Sequence, residues 1–311
     1  MEQQLDHAAV RAAADRIAGA IRPVAVAPAA EGVWYALEYL QHTGSFKARG
    51  ARNFLAAHHQ AGTLPAAGVT IASGGNAGLA CAWAARAQSV PATVFLPATA
   101  PRVKVERLRG YGAEVRLVGD RYAEALAACE EFAAGSGALS SHAYDHPLIA
   151  AGAGTLLEEI RAALPGLDAV VVAVGGGGLF AGIATAAREY GVEVIAAEPE
   201  NCRALNAALE AGRLVDVAVD SVAADSLGAT RVSADALAAA REEHVRSVLV
   251  PDAAITAARR ALWEEHRIVV EPGAATALAA LRSAPRPLGA RVAVVLCGAN
   301  TDPGDLVAPA A

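Results

Sequence analysis

Val170-Val171-Val172-Ala173-Val174-Gly175-Gly176-Gly177-Gly178 is the stretch that decides the fold class of this chain. Five successive apolar residues leave no polar face for water, which is the pattern of a strand covered on both sides in a parallel sheet. Four glycines end the run, and a helical pattern then continues to Tyr190. Strand, glycine turn and helix together make half of a βαβ unit. The same alternation extends outward both ways. Upstream, residues 69–72, 93–96 and 114–118 read as strands, with helices over 77–87, 101–110 and 121–134. Downstream, strands over 192–197 and 292–296 enclose helices over 203–212, 233–243, 252–266 and 273–282, with Ser233 and Asp252 as N-caps. Helices over 6–21, 49–60 and 152–163 and a strand over 33–37 complete the pattern. It predicts an α/β protein with doubly wound parallel sheets in two lobes and a cleft between them. Residues 47–146 form the smaller lobe, and 1–46 with 147–311 the larger.

Composition limits what such a protein does. The chain has 311 residues, 54% of them hydrophobic and 19% charged, which is enough for a large core. Alanine is abundant and aromatics are few, so the core is expected to be Ala, Val and Leu in close contact. Net charge is −6 with no long run of one sign, which gives no nucleic-acid footprint and no basic membrane-facing helix. The amino terminus has no apolar signal region, and no stretch is apolar enough to span a bilayer. Cys81, Cys129, Cys202 and Cys297 are scattered without a CxxC pair, which argues against a disulfide framework or a structural zinc. The expectation is a soluble, cytoplasmic protein. Its positive mean hydropathy fits a buried sheet or an oligomer interface.

Three turns and a thiol carry chemistry. Of 26 Lys plus Arg, only Lys47 and Lys104 are lysines, leaving 24 arginines. Lys47 stands in Gly44-Ser45-Phe46-Lys47-Ala48, and an amine, unlike a guanidinium, can be tuned to act as a nucleophile. Gly175, Gly176, Gly177 and Gly178 lie at a strand-to-helix junction, where bare N–H groups and the helix dipole can hold a phosphate. The same glycines also suit a tight, closely packed turn, and Glu198 after the next strand keeps a dinucleotide reading open on this motif alone. The spacing is not that of a Walker loop. Ser73-Gly74-Gly75-Asn76 forms a second such turn, fit for a carboxylate, and Cys297-Gly298 follows the last strand. Phosphate, an electrophilic carbonyl for the amine and a carboxylate are the groups of pyridoxal phosphate carrying an amino acid.

In order and spacing these motifs resemble the fold-type II pyridoxal-phosphate enzymes, which share the tryptophan synthase β-like fold, and within them the serine/threonine dehydratases. The similarity runs from Leu40 through Glu198-Pro199 and Val270-Glu271-Pro272 to Cys297-Gly298-Ala299-Asn300. It implies that Lys47 is the Schiff-base lysine and catalytic base, with Phe46 packing on the cofactor ring and Asn76 near the ring hydroxyl. The four glycines then hold the phosphate, and Cys297 is the neutral partner of the pyridine nitrogen. Ser73, Gly74, Gly75 and Asn76 bind the substrate carboxylate.

The implied reaction is β-elimination from a β-hydroxy amino acid such as L-serine or L-threonine, giving a 2-oxo acid and ammonia in a homodimer. Related racemases place a serine where Gly74 stands, and β-replacement enzymes an acid where Ala48 stands, so both are weaker alternatives. A nucleotide-binding α/β protein without catalysis is the reading from another class, and a retained Lys47 argues against it. Relatives that bind a divalent cation pair the equivalent of Glu198 with a Ser or Asp six residues later. Ala204 stands there, which disfavours a divalent ion and leaves a monovalent ion held by carbonyls near Glu198. Biosynthetic threonine deaminases similar to this chain carry an extra C-terminal regulatory domain that does not follow Ala311, so such feedback control is not expected. Asp225 and Ser226 are candidates for the side-chain pocket.

Overall fold

The computed structural model describes residues 4–284 and 288–307 of the chain. In chain order the elements begin with α1 (His7–Ile17), β1 (Val26–Ala30) and β2 (Val33–Ala36), then two 3-10 turns (Glu38–Leu40 and His42–Gly44). Next come α2 (Lys47–Gln60), β3 (Val69–Ala72), α3 (Asn76–Arg86), β4 (Ala92–Leu96), α4 (Arg102–Gly110), β5 (Glu114–Leu117), α5 (Tyr122–Ser136) and β6 (Leu139–Ser140). The central run is α6 (Pro147–Ala163), β7 (Ala169–Ala173), α7 (Gly178–Tyr190), β8 (Glu193–Pro199) and α8 (Ala204–Ala211). The chain closes with α9 (Ala224–Leu227), α10 (Ala234–Ala239), β9 (Val245–Val250), α11 (Asp252–His266), α12 (Pro272–Arg282), β10 (Val292–Val295) and α13 (Gly304–Val307).

Two sheets organise these elements, as the strand and helix alternation predicts. A four-stranded sheet has the order β5-β4-β3-β6 and is parallel throughout. A six-stranded sheet has the order β1-β2-β10-β7-β8-β9, parallel except for β1 against β2. Because the strands are parallel, their carboxyl ends gather on one side of each sheet, where open α/β sheets bind ligands. Every residue of β7 is buried, in accord with its unbroken apolar run. α7 and α12 pack on this sheet, and α6 lies against α7. Small residues set that last contact: a Cβ on Gly182 would fall 2.1 Å from the Ala150 carbonyl oxygen, and one on Gly154 would fall 2.6 Å from that of Gly182. The core is built of Ala, Val and Leu, as composition predicts.

Several boundaries differ from the sequence reading. α1 stops at Ile17, and Gly19 then turns the chain with φ 71°. β1 is an edge strand that contains Pro28, which is tolerated because an edge position leaves its missing N–H unneeded. β9 is the other edge, only partly buried, with a polar Arg-Ser pair that hides its strand character. The two-residue β6 is too short to register in a pattern. α6 starts five residues before the expected Gly152, at Pro147, capped by the His146 ring accepting from the Leu148 N–H at 3.1 Å. α10 ends at Ala239, and Ser233 does cap it, accepting from the Ala236 N–H. Asp252 is not a cap. Pro251 holds that position, while the Asp252 carboxylate accepts from Ser221 Oγ at 2.6 Å and the Val222 N–H at 3.0 Å.

One buried group ties α2 to the larger sheet's helices. Arg49 is fully buried, and all five of its N–H donors are used. Nε and Nη2 donate to the two Glu38 oxygens at 2.6 and 2.9 Å. Nη1 donates to Thr155 Oγ1 at 3.1 Å and Glu159 Oε1 at 2.7 Å, and Nη2 also reaches Glu159 Oε2 at 2.8 Å. Replacing Arg49 by Met strands Glu38, itself 1% exposed, without its counter-charge. Denaturant unfolding should show Arg49→Met destabilised by about 3–5 kcal/mol. Arg102→Ala, which removes an exposed pair with Glu106, should cost about 0.5 kcal/mol or less. A loss below about 1 kcal/mol for Arg49→Met would show that the clamp does not hold the fold together.

Candidate active site

Four loops at strand ends meet in a cavity of about 620 Å³. The first follows β2 and delivers Lys47. Its backbone is zipped to the extension of β10: the Phe46 N–H donates to the Cys297 carbonyl and the Ala299 N–H to that of Gly44, each at 2.9 Å, with a bridge between Ser45 and Gly298. The Asn300 amide donates to the Thr43 carbonyl at 2.7 Å, where Thr43 takes φ 65°. Lys47 then opens α2, and its Nζ donates to the Ala143 carbonyl oxygen at 2.9 Å, 4.6 Å from the centre of the Phe46 ring.

Electrostatics tune that amine and two groups beside it. Burial lowers the Lys47 pKa to about 8, partly opposed by the nearby Cys297 and Glu271. Burial, reinforced by Glu271, pushes the Cys297 thiol far above its ordinary value, so it is neutral. Burial also raises Glu271 to about 7, against the pull of the Asn76 amide, which donates to its two oxygens at 2.9 and 3.2 Å. Asn76 in turn accepts from Asn300 Nδ2 at 2.6 Å.

The glycine turn after β7 floors the same cavity. Gly177 has φ 96°, and a Cβ on Gly176 would fall 2.3 Å from the Tyr144 ring. Close packing therefore needs at least these two glycines. The first intrahelical bond of α7 is Ala181 N–H to Gly177, so the N–H groups of Gly178, Leu179 and Phe180 precede it and have no partner within the helix. After β3 the Ser73 hydroxyl accepts from the Gly75 N–H at 3.4 Å. A Cβ on Gly74 would fall 2.2 Å from Leu96 Cδ2, while the Gly75 Cβ direction is open.

An amine of lowered pKa, a bare helix N-terminus and a neutral thiol thus share one cavity. The pyridoxal-phosphate dependent enzyme family profile matches residues 21–298. The chain belongs to that family. It is 38% identical over 284 residues to the human serine dehydratase-like protein, covering 86% of this chain and 85% of that one. It is also 38% identical over 273 residues to an L-threonine ammonia-lyase of Geobacter sulfurreducens, covering 87% of this chain and 67% of the relative. Among solved structures, maize serine racemase superposes with a TM-score of 0.90 at 26% identity, over 98% of this chain and 96% of that one. The fold is that of the type II pyridoxal-phosphate enzymes. The cavity has what this cofactor asks for: a reactive amine for its aldehyde and, at the start of α7, N–H groups without a partner in the helix for its phosphate.

Phe46, Lys47, Ser73, Gly74, Gly75, Asn76, Gly175, Gly176, Gly177, Gly178 and Cys297 all line this one cavity, and Asp225 and Ser226 join them. Glu198 does not. Its oxygens accept from the Leu205 and Asn206 N–H groups at 2.7 and 2.8 Å, capping α8, and burial raises its pKa to about 7. Among the described residues no group of three or more His, Cys, Asp or Glu could hold a metal ion, and no helix is long and apolar enough to cross a membrane. Sequence reasoning gave no role to Glu271 or Lys104, which also line the cavity. The Val270-Glu271-Pro272 motif was the available signal for the first, and the scarcity of lysine for the last. A small acylating reagent should modify Lys47 in the cofactor-free protein at a rate that rises with pH and levels off above about 8, because only the neutral amine reacts. Peptide mapping reads this directly. A rate still climbing steeply beyond pH 9.5 would mean that the amine is an ordinary lysine.

Proposed function

We propose that the chain is a pyridoxal-phosphate dependent ammonia-lyase acting on a β-hydroxy amino acid such as L-serine or L-threonine. The observation that carries this reading is the Lys47 amine set beside the neutral Cys297 thiol, with no hydroxyl on Gly74. Lys47 would hold the cofactor through its amine, the glycine turn and the start of α7 its phosphate, and Phe46, Asn76 and Cys297 its ring. When bound, the cofactor supplies an electron sink for the charge left at the substrate Cα. Ser73, Gly74, Gly75 and Asn76 would bind the α-carboxylate through backbone and amide donors, fixing the α-C–H bond toward Lys47.

The Lys47 amine takes the α-proton, and a pKa of about 8 leaves a substantial neutral fraction near neutral pH. Cys297 would not hold the ring nitrogen protonated as a carboxylate would, because its thiol stays neutral and carries no counter-charge. Charge is therefore less stabilised on the cofactor side, and loss of the β-hydroxyl is favoured. The substrate loses water, and the released enamine takes up water to give the 2-oxo acid and ammonia. A racemase needs an acid on the face opposite Lys47. Gly74 has none, and Leu96 fills the space where a side chain there would start. A homodimer in the cytoplasm belongs to the same reading by family resemblance. So does a monovalent ion held by backbone carbonyls near Glu198, whose own oxygens are committed to N–H donors.

Protein loaded with pyridoxal phosphate should be yellow and release 2-oxo acid from L-serine or L-threonine. Lys47→Ala should lose the colour and slow 2-oxo acid release by about 100-fold or more. Sulfide-dependent cysteine formation without 2-oxo acid would replace elimination by β-replacement, and D-serine as the main product would replace it by racemisation. Exchanging potassium for a bulky organic cation should lower the rate, and an unchanged rate would remove the monovalent ion from the proposal.

A further inference from the structure

Both lysines of the chain, Lys47 and Lys104, line the same cavity. Twenty-four arginines supply every other Lys or Arg cation, so an ammonium has been kept twice, and both times at this site. Lys104 projects from α4 beside the Ser73-Gly74-Gly75-Asn76 turn, its Cδ 3.9 Å from where a Cβ on Gly74 would lie. Its Nζ pairs with Asp225 Oδ1 at 2.9 Å, reaching from the helices of the four-stranded sheet to α9 across the cavity. Arg107, one turn further along α4, is engaged with the Asn300 side chain instead.

We propose that Lys104 is a specificity-determining residue that exchanges Asp225 for the substrate's α-carboxylate at the Ser73-Gly74-Gly75-Asn76 turn. The proposal rests on the ammonia-lyase reading for its substrate class. Three physical points support the exchange. The Asp225 side chain is 74% exposed, so its pair with Lys104 is weakened by water and is easily given up. A carboxylate seated inside the cavity displaces that water and meets the ammonium in a lower dielectric. A compact ammonium can also turn between two carboxylates, whereas a guanidinium would lock onto Asp225 through both of its oxygens. Asp225 thus holds the cation ready at the entrance and competes with the incoming anion.

The competition gives opposite signs for the two partners. Calorimetry on the cofactor-loaded protein compares L-alanine, which carries the carboxylate but no leaving group, with L-alaninamide, which lacks the carboxylate. Wild type should favour L-alanine. Lys104→Gln should reduce that preference about tenfold and raise the L-serine KM with a smaller change in kcat, the effect of one lost charge-assisted contact. Lys104→Arg should restore part of the preference. Asp225→Asn should leave the preference intact or increase it. If Lys104→Gln and Asp225→Asn weaken L-alanine binding alike, the pair is a latch between lobes and the proposal fails. It also fails if Lys104→Gln leaves the preference unchanged. If wild type distinguishes the two ligands but forms no 2-oxo acid from L-serine or L-threonine, the ammonia-lyase reading falls while the role of Lys104 stands.

Discussion

Arg49 between Glu38 and Glu159 is the interaction on which the rest of the site depends. Two residues after Lys47, its guanidinium is out of water and satisfied on every N–H by the 3-10 turn before α2 and by α6 behind it. A buried cation of this kind adds little net stability over an apolar filling, but it tolerates almost no displacement. Any shift of α2 along its axis would break several charge-assisted bonds at once. Glu159 also accepts from the Val24 N–H at 2.7 Å, so the segment that leads into β1 is fixed by the same carboxylate. The lysine is therefore aimed by a neighbour that never touches the cavity.

The chain around this clamp solves a related problem, which is how to keep an amine reactive. Helices approach closely because Gly154, Gly182 and many alanines leave no side-chain bulk between them, and close approach excludes water. A dry site destabilises charge. It lowers the Lys47 pKa and raises those of Cys297 and Glu271, so all three move toward their neutral forms. Glu271 connects the two sheets chemically as well, since it starts α12 beside the six-stranded sheet and binds Asn76 at the start of α3 beside the four-stranded one. The Ser73-Gly74-Gly75-Asn76 turn and the lysine loop also share Asn300 through its bonds to Asn76 and Thr43.

Much of this was legible in the residues alone. β7 is a continuous apolar run closed by glycine, β4 and β8 carry apolar runs over residues 94–96 and 194–197, and β3 is apolar but for Thr70, so their burial shows directly in the sequence. The edges did not read well. β1 contains a proline and β9 an Arg-Ser pair because edge strands need fewer ladder bonds and less burial, so their composition approaches that of a loop. The cap at Asp252 was misread for a similar reason. An Asp before a helical pattern usually serves its own helix, but here a serine and an N–H from residues 221 and 222 compete successfully for its oxygens. Glu271 was visible only as part of a motif, since nothing nearby in sequence shows that residue 76 is its partner.

The sequence by itself determined the class of chemistry and the fold that carries it. Glycine turns after apolar strands, a lysine in a Gly-Ser-Phe turn and a thiol at a strand end are local features, and local features are written in consecutive residues. Only the tertiary structure decided which groups share a cavity and in which charge state. The partners of Lys47, Asn76 and Lys104 lie 96, 195 and 121 residues away in sequence. Parallel strands brought them together by placing their carboxyl ends on one side, and the exclusion of water there then set the pKa of each group.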